Sequence, residues 1–486
     1  MGSNSSDASN AARPVHLVGL DFGSTTSSAI IATAQLVRNC VTGRRELNQG
    51  EQQFRSEPVF TPFQGDSIDI GRAEAYIDEW LARGNVDPRE VFGGGALITG
   101  LAARQSNAAA LAASIRRRLG DALIATADDP CLESWLAFMG SCRELSLGMP
   151  DVPFLNLDIG GGTTNLAWGE AGEVSHVGCY FVGARHVQVI PDTYQLVRLS
   201  PFAVGLFEEL KIQARAGDAL STDDVAAILD FYVAALEAAL HGDDSFFRRE
   251  AARLHQQVAF HPPTDATPVI TLSGGVGELV YRHVQGGQLP PTTAFGDLGI
   301  DLAERICRSP LLARDLKQFV PPNMGRATVY GLTIHNTEVS GSTLFLPRPA
   351  ILPLSDLPIV GRLATDASPE QISSLVELAK TSSRGAGLQV DCPPDDWQAI
   401  KGLGQRLAAA LDLCRFPSDR PLVLFVTGNV GKTLGQYASR WGSSPVNLVA
   451  IDEIPDRRAH FASVGRMCET AVPVSFYGLH RGDDRR

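Results

Sequence analysis

The chain has 486 residues, enough for about two to four lobes of roughly 100–200 residues each, and its content of 44% hydrophobic and 20% charged residues is typical of a globular protein. The formal charge of −12, from 42 basic and 54 acidic residues, argues against nucleic acid as a partner, because phosphate backbones bind to basic faces. No run of about 18 apolar residues occurs, so the sequence predicts no membrane-spanning helix and no membrane partner.

The beginning of the chain, residues 1–13, is rich in Ser, Asn, Ala and Gly and has no apolar stretch. We therefore predict a disordered leader rather than a signal peptide or an anchor. The eight cysteines are scattered without a C-x-x-C pair, which is typical of reduced thiols in a cytoplasmic protein.

The first motif lies in Val15 to Ala29, which reads VHLVGLDFGSTTSSA. An apolar strand leads to the carboxylate of Asp21 and then to a turn formed by Gly23, Ser24, Thr25 and Thr26. Glycine allows backbone N–H groups to converge on an anion, and the hydroxyl groups add donors. A carboxylate beside an anion would repel it unless a cation lay between them, so the pattern predicts a phosphate site with a divalent ion such as Mg²⁺.

A candidate neighbour of that site is Thr99, at the end of the apolar run ALITG from Ala96 to Gly100. In open α/β sheets ligands gather at the carboxyl ends of strands, so Thr99 is a candidate metal or phosphate neighbour. The alternative is a hydroxyl that caps a helix or a turn.

The second motif repeats the first one 137 residues later. Val152 to Ala167 reads VPFLNLDIGGGTTNLA, an apolar strand that is followed by Asp158, Gly160, Gly161, Gly162, Thr163 and Thr164. Taken alone, this stretch could be a glycine-rich hairpin whose Asp caps the loop. The repetition instead predicts an internally duplicated α/β protein in which the two turns face each other across a cleft.

A third glycine-rich turn lies in Val269 to Glu278, which reads VITLSGGVGE. A short strand is followed by Ser273, Gly274, Gly275 and Gly277 at the start of a helix. Glycines here would let a flat ring or a sugar approach the backbone closely, although an ordinary strand-to-helix turn is the alternative.

The three motifs in this order resemble the superfamily of actin, Hsp70 chaperones and sugar kinases. Finer matches resemble the ethanolamine ammonia-lyase reactivating factors: ALITG, PCLES at Pro130 to Ser134, FLNLDIGGGTTN, VITLSGGVGE, and VSGST at Val339 to Thr343. The resemblance implies an α/β fold with duplicated actin-like, ribonuclease H-like ATPase lobes around a nucleotide cleft. It assigns residues 14–149 to the first lobe, 150–345 to the second with a helical subdomain over the nucleotide, and 346–486 to a C-terminal α/β unit.

The resemblance also implies roles for the motif residues. The two hairpins would be phosphate loops and the third turn an adenosine loop, while Asp21 and Asp158 would hold a hydrated Mg²⁺ or the lytic water. Glu133, in the first turn of a helix, becomes a candidate general base, although the helix dipole alone favours Glu there. The protein would hydrolyse MgATP slowly and release damaged cobalamin from ethanolamine ammonia-lyase, in the cytoplasm or in a bacterial microcompartment. Whether the protein forms a homodimer is left open. The base specificity of the nucleotide site is also left open, because no adenosine-clamping Lys is recognisable.

Several further elements follow from local patterns. We predict helices over Phe202 to Ala216 and Thr222 to His241, a turn or family loop near the metal at Phe295 to Gly299, and a final strand and turn over Gly325 to Gly331. In the C-terminal unit, Ser368 begins a helix with a capping box. The stretch GNVGKT at 428–433 lacks the first glycine of a Walker A loop, because that position is Val426.

Three other functions fit the same superfamily. A metabolite kinase would phosphorylate a small substrate, and an actin-like filament protein would pellet with ATP. An activator ATPase of an acyl-CoA dehydratase would carry an iron–sulfur cluster, but no cysteine adjoins a phosphate loop here.

Overall fold

The computed structural model describes residues 14–39, 45–65, 67–119, 124–127, 129–263, 266–392 and 396–479, so the predicted leader lies outside it. The first part of the chain contains β1 (Pro14–Phe22), β2 (Thr26–Arg38), β3 (Arg45–Arg55), β4 (Val59–Phe60), β5 (Phe63–Gln64), β6 (Ser67–Ile68), α1 (Ile70–Arg83), β7 (Val91–Ile98), α2 (Gly100–Ala103), α3 (Ala108–Leu119), β8 (Ile124–Ala127), α4 (Pro130–Ser141) and α5 (Arg143–Gly148).

The second part contains β9 (Phe154–Ile159), β10 (Thr164–Glu170), β11 (Glu173–Tyr180), β12 (Val187–Val189), β13 (Leu196–Leu199), α6 (Pro201–Leu210), α7 (Thr222–His241), α8 (Glu250–His255), β14 (Gln256–Val258), β15 (Val269–Ser273), α9 (Gly274–Val284), α10 (Gly299–Cys307) and α11 (Ala327–His335). The last part contains β16 (Thr337–Val339), β17 (Leu354–Ala364), α12 (Pro369–Lys380), β18 (Ala386–Asp391), α13 (Trp397–Leu413), β19 (Pro421–Val426), α14 (Gly431–Ala438), β20 (Asn447–Ile451), β21 (Ala459–Val464) and β22 (Pro473–Leu479).

Two sheets share one design around an acidic strand. In the first, β1 lies between its antiparallel hairpin partner β2 and the parallel strand β7, in the order β3-β2-β1-β7-β8. In the second, β9 lies between its hairpin partner β10 and the parallel strand β15, in the order β14-β11-β10-β9-β15. Both acidic strands are buried on both faces, which suits their nearly continuous apolar sequences. The predicted duplicated α/β fold is confirmed.

Helices α4 and α11 cross each other between the two sheets. Gly140 of α4 lies so close to α11 that an added Cβ would stand 1.9 Å from the carbonyl oxygen of Ala327. In return, a Cβ on Gly331 of α11 would stand 2.1 Å from the carbonyl oxygen of Leu136. The two glycines therefore allow backbone-to-backbone contact where the lobes meet.

Two predicted elements differ in the structure. Residues 325–331 were predicted as a strand and turn, but most of them belong to helix α11, which packs on α4. The helix predicted over 202–216 ends at Leu210, because Lys211 adopts the left-handed conformation with φ of 59° and closes it. The helix predicted over 222–241 is confirmed as α7.

The C-terminal unit is built on one mixed sheet in the order β16-β22-β21-β17-β18-β19-β20. Strands β17 to β20 are parallel and are connected by helices α12 to α14, and the predicted capping box at Ser368 is present. Strand β16 follows α11 directly, so α11 and this sheet are continuous in the sequence. The unit boundaries at 149/150 and 345/346 stay predictions.

The C-terminal sheet also contacts α4. The N-cap residue Asp129 accepts a hydrogen bond of 2.6 Å from the backbone N–H of Gly478 on β22. The guanidinium of Arg457 lies 5.3 Å from the ring centre of Trp135 and pairs with Glu338 of β16. Both crossing helices are thus attached to the same sheet. Among the described residues, no helix is long and apolar enough to cross a membrane.

Candidate active site

All three glycine-rich turns open onto one cleft of about 590 Å³. Of the residues predicted from the sequence, the following line it: Asp21, Gly23, Ser24, Thr25, Thr26, Thr99, Glu133, Asp158, Gly160, Gly161, Gly162, Thr163, Gly274 and Gly275. The loop predicted near the metal contributes Phe295, Asp297 and Gly299. The structure therefore brings together segments that are up to 278 positions apart in the chain.

The two hairpin turns have the same local geometry and touch each other. The N–H of Gly23 donates to Thr26 O at 3.0 Å, and the N–H of Gly160 donates to Thr163 O at 2.9 Å. A Cβ on Gly161 would lie only 2.3 Å from Thr25 Oγ1. Glycine in the second turn therefore leaves the room that lets the first turn approach.

Asp21 is a half-buried carboxyl group that lines the cleft and has one hydroxyl donor. Thr99, the residue after strand β7, donates from its Oγ1 to Asp21 Oδ1 at 3.1 Å and makes no capping hydrogen bond to α2. Burial raises the pKa of Asp21 to about 7, the Thr99 hydrogen bond lowers it, and the negative charge of Asp158 raises it further. The electrostatic interaction between the two carboxylates shows that they share the same end of the cleft.

Asp158 is half-buried as well but has two hydroxyl donors. Ser273 Oγ donates to Asp158 Oδ1 at 2.6 Å, and Thr328 Oγ1 of α11 donates to Oδ2 at 3.2 Å. Burial raises the pKa of Asp158, while both hydrogen bonds lower it. Asp158 is therefore held more firmly than its counterpart Asp21.

The residues at this end of the cleft fit a magnesium ion. Two half-buried carboxylates and the Thr99 hydroxyl offer oxygen atoms, which Mg²⁺ prefers, and a cation would offset the repulsion between two negative charges in one cleft. Within the described ranges, no group of three His, Cys, Asp or Glu residues could hold a metal ion. Mg²⁺ usually takes one or two carboxylates together with phosphate oxygens.

Glu133 stands at the start of α4 and faces the same cleft. It is only 4% exposed, and its Oε2 accepts a hydrogen bond of 3.2 Å from Asn165 Nδ2 on the second hairpin. The sequence analysis assigned no role to Asn165. Its amide orients the Glu133 carboxylate, so that a water molecule between Glu133 and the phosphate loops would meet an ordered acceptor.

Three predicted site residues do not line the cleft. Thr164 begins strand β10 with its side chain turned inward, where Oγ1 donates to Val182 O at 2.7 Å. Ser273 is fully buried and uses its hydroxyl on Asp158 rather than on a ligand. Gly277 lies within α9, packed against Leu272. Side chains alternate along a strand and rotate around a helix, so neighbouring motif residues point in different directions.

One wall of the cleft was not predicted. Helix α9 presents Glu278, Leu279 and Arg282 to the cleft, at the spacing of one helical face. Arg326, in a segment that packs against α9, also lines the cleft, and its Nη1 is buried without a hydrogen-bond partner among the described residues. Burial and the neighbouring Arg55 lower the pKa of Arg326. The helical spacing after the Gly274 turn was the available signal for the α9 residues.

The second hairpin rests on a buried histidine. His186 Nε2 donates to Gly162 O at 2.9 Å, and its Nδ1 accepts from Ser200 Oγ at 2.8 Å. Burial lowers the pKa of His186 to about 3, and the neighbouring His255 lowers it further. A neutral imidazole therefore fixes the backbone of the second glycine turn.

Comparison with known proteins gives one family for nearly the whole chain. The family described as "Ethanolamine utilisation protein EutA" matches residues 13–479. The ethanolamine ammonia-lyase reactivase EutA of Salmonella typhimurium is 30% identical over 485 residues, which cover 95% of this chain and 97% of that protein. The protein of the same name from Escherichia coli is 28% identical over 474 residues, with 95% and 97% covered.

Solved structures are more distant. An exopolyphosphatase from Cytophaga hutchinsonii is 17% identical and has a TM-score of 0.33, with 57% of this chain and 72% of that chain covered. MreB 5 of Spiroplasma citri bound to AMPPNP is 13% identical and has a TM-score of 0.28, with 63% and 99% covered. Likeness at this level carries no argument about function.

Proposed function

Because the chain belongs to the EutA family of ethanolamine utilisation proteins, we propose that it is an ATP-driven reactivating factor for ethanolamine ammonia-lyase. The printed name of the two curated relatives supports the lyase as its partner. We place it in the cytoplasm beside the lyase, where it would use MgATP to release damaged cobalamin.

The proposed binding of MgATP is supported by one observation: two equivalent hairpins, each with a carboxylate, line the same cleft. The Gly23–Thr26 and Gly160–Thr163 turns would bind the phosphates with backbone N–H groups and hydroxyls. Asp21, Asp158 and Thr99 would hold Mg²⁺, which neutralises phosphate charge when bound.

The remaining residues of the cleft have separate tasks. Glu133, held by Asn165, would orient the attacking water and accept its proton. The nucleoside would lie along α9, between Gly275 and Arg326. Closed and open lobes would then differ in how α4 and α11 cross, and the C-terminal sheet attached to both helices would transmit that difference to the lyase.

Reactivation can be tested directly. Substrate-inactivated ethanolamine ammonia-lyase is mixed with the protein, MgATP and free adenosylcobalamin, and deamination of ethanolamine is followed. We expect activity to return with the wild-type protein, but not with Asp158→Asn or without ATP. Thr333→Val is a matched control, because this buried hydroxyl donates within α11 to Val329 O at 2.7 Å and has no other hydrogen bond to the part of the chain that the structure describes. If wild-type protein hydrolyses ATP but the lyase stays inactive, the partner assignment is wrong.

A further inference from the structure

A buried chain of hydrogen bonds reaches Asp158 from behind the cleft. Ser273 Oγ, which donates to Asp158, accepts a hydrogen bond of 2.9 Å from Asn156 Nδ2. Asn156 Oδ1 in turn accepts from Thr271 Oγ1 at 3.1 Å. These hydrogen bonds continue to Cys142, whose sulfur lies 2.9 Å from Thr271 Oγ1.

The strand register explains why these side chains meet. Strands β9 and β15 are parallel, with Asn156 opposite Thr271 and Asp158 opposite Ser273. Residues two positions apart in a strand share a face, so all four point to the same side of the sheet. Asn156, Thr271 and Ser273 each have no exposed surface, so every polar group in the chain depends on its neighbour for a partner.

The donors and acceptors available to these side chains allow the hydrogen-bond chain to run in only one direction. An ionised carboxylate has no hydrogen to give, so the Ser273 hydroxyl must donate to Asp158. The Ser273 oxygen then accepts from the amide nitrogen of Asn156, which turns the amide oxygen toward Thr271. Thr271 donates to that oxygen and is left to accept from the Cys142 thiol. Were the amide reversed, it would compete with Asp158 for the Ser273 hydrogen.

We propose that Asn156 is a positioning residue for the cation site: its amide fixes the direction of the Ser273 hydroxyl and thereby the orientation of the Asp158 carboxylate. Asn156 itself does not line the cleft. Thr328 of α11 holds the other carboxylate oxygen, and Cys142 is the C-cap residue of α4, so both crossing helices are connected to this carboxylate. The inference rests on the proposed binding of MgATP.

The test is a double-mutant cycle. Asn156→Leu keeps a similar shape without the amide, Ser273→Ala removes the hydroxyl, and the third variant combines both. We measure the dissociation constant for Mg²⁺ with ATP present, the affinity for ADP without metal, and the melting temperature. Loss of a partner that orients a metal ligand typically costs 10–100-fold in metal affinity. We expect that loss in each single variant, no further loss in the double variant, and unchanged binding of metal-free ADP.

The controls separate positioning from folding. Thr333 is a buried threonine that is not part of this hydrogen-bond chain, so Thr333→Val should keep the wild-type affinity for Mg²⁺. If Asn156→Leu does not fold, Thr271→Val gives the same test, because loss of the Thr271 hydroxyl frees the Asn156 amide to turn. A Mg²⁺ affinity of Thr271→Val equal to that of Thr333→Val would overturn the inference. So would single variants that lower the melting temperature without weakening Mg²⁺ binding, or losses that add in the double variant. If the wild-type protein binds no MgATP, the proposed function itself is wrong.

Discussion

Replacing Gly140 with alanine should loosen the crossing of α4 and α11. The added Cβ would lie 1.9 Å from Ala327 O and 2.8 Å from the N of Gly331, and both obstacles are backbone atoms. Because real Cβ contacts are essentially never under 3.0 Å, the helices must separate by about 1 Å.

The magnitude follows from two opposing effects. Alanine is favoured over glycine inside a helix by up to about 1 kcal/mol. Overpacking costs about 1–3 kcal/mol, and the upper end applies here because no flexible side chain can move aside. We therefore expect Gly140→Ala to lower the free energy of unfolding by about 2 kcal/mol. It should also slow ATP hydrolysis, since α4 carries Glu133 and α11 carries Thr328.

The assay compares this variant with Gly148→Ala, since a Cβ at Gly148, in the last turn of α5, would meet nothing within 4 Å. Urea unfolding should show destabilisation for Gly140→Ala and no loss, or a gain of up to about 1 kcal/mol, for Gly148→Ala. If the two variants had equal stability and equal ATPase activity, the reasoning about the helix crossing would be refuted.

The remaining predictions concern the cleft. Glu133→Gln should slow ATP hydrolysis about 10²–10⁴-fold while the dissociation constant for ATP stays near the wild-type value; a matching loss of binding would contradict its role in proton transfer. Asp21→Asn and Asp158→Asn should each remove the increase in ATP affinity that Mg²⁺ brings, which titration calorimetry with and without EDTA can measure. Because the folded pKa of His186, about 3, lies below the ordinary 6.5, its stabilising contribution is complete above pH 6.5 and is lost as the pH falls toward 3. Between pH 6.5 and 3, the free energy of unfolding of the wild-type protein, measured with urea, should therefore fall by up to about 1.4 kcal/mol per pH unit more than that of His186→Gln. Parallel plots of unfolding free energy against pH for the two proteins would contradict this.

Local sequence signals predicted the elements that depend on near neighbours. The hairpin at Asp21 was readable from an apolar strand, an acid and a glycine turn, and its repetition at Asp158 predicted the facing arrangement. The helix at Ser368 was readable because its capping box lies within four residues.

The errors and omissions have a common cause in long-range packing. Thr328, Val329 and Tyr330 favour a strand on their own, but contact with α4 makes them part of α11. The partner of Ser273 could not be read from its glycine neighbours, because Asp158 lies 115 residues away. The sequence around Arg326 carried no signal either, since its position beside α9 depends on how the helices pack.

The placement of β22 has a consequence for the order of folding. Thr337 of β16 pairs with Ser475 of β22, which comes 138 residues later, and strands β17 to β21 lie between the two in the sequence. Closing so long a loop is entropically costly and slow, so this pairing should be among the last to form. During synthesis, α11 cannot pack against the complete C-terminal sheet until most of the polypeptide has left the ribosome. The expected intermediate is an incomplete chain in which the cleft has formed but α11 is not yet anchored to the C-terminal sheet, and this state is the most exposed to aggregation.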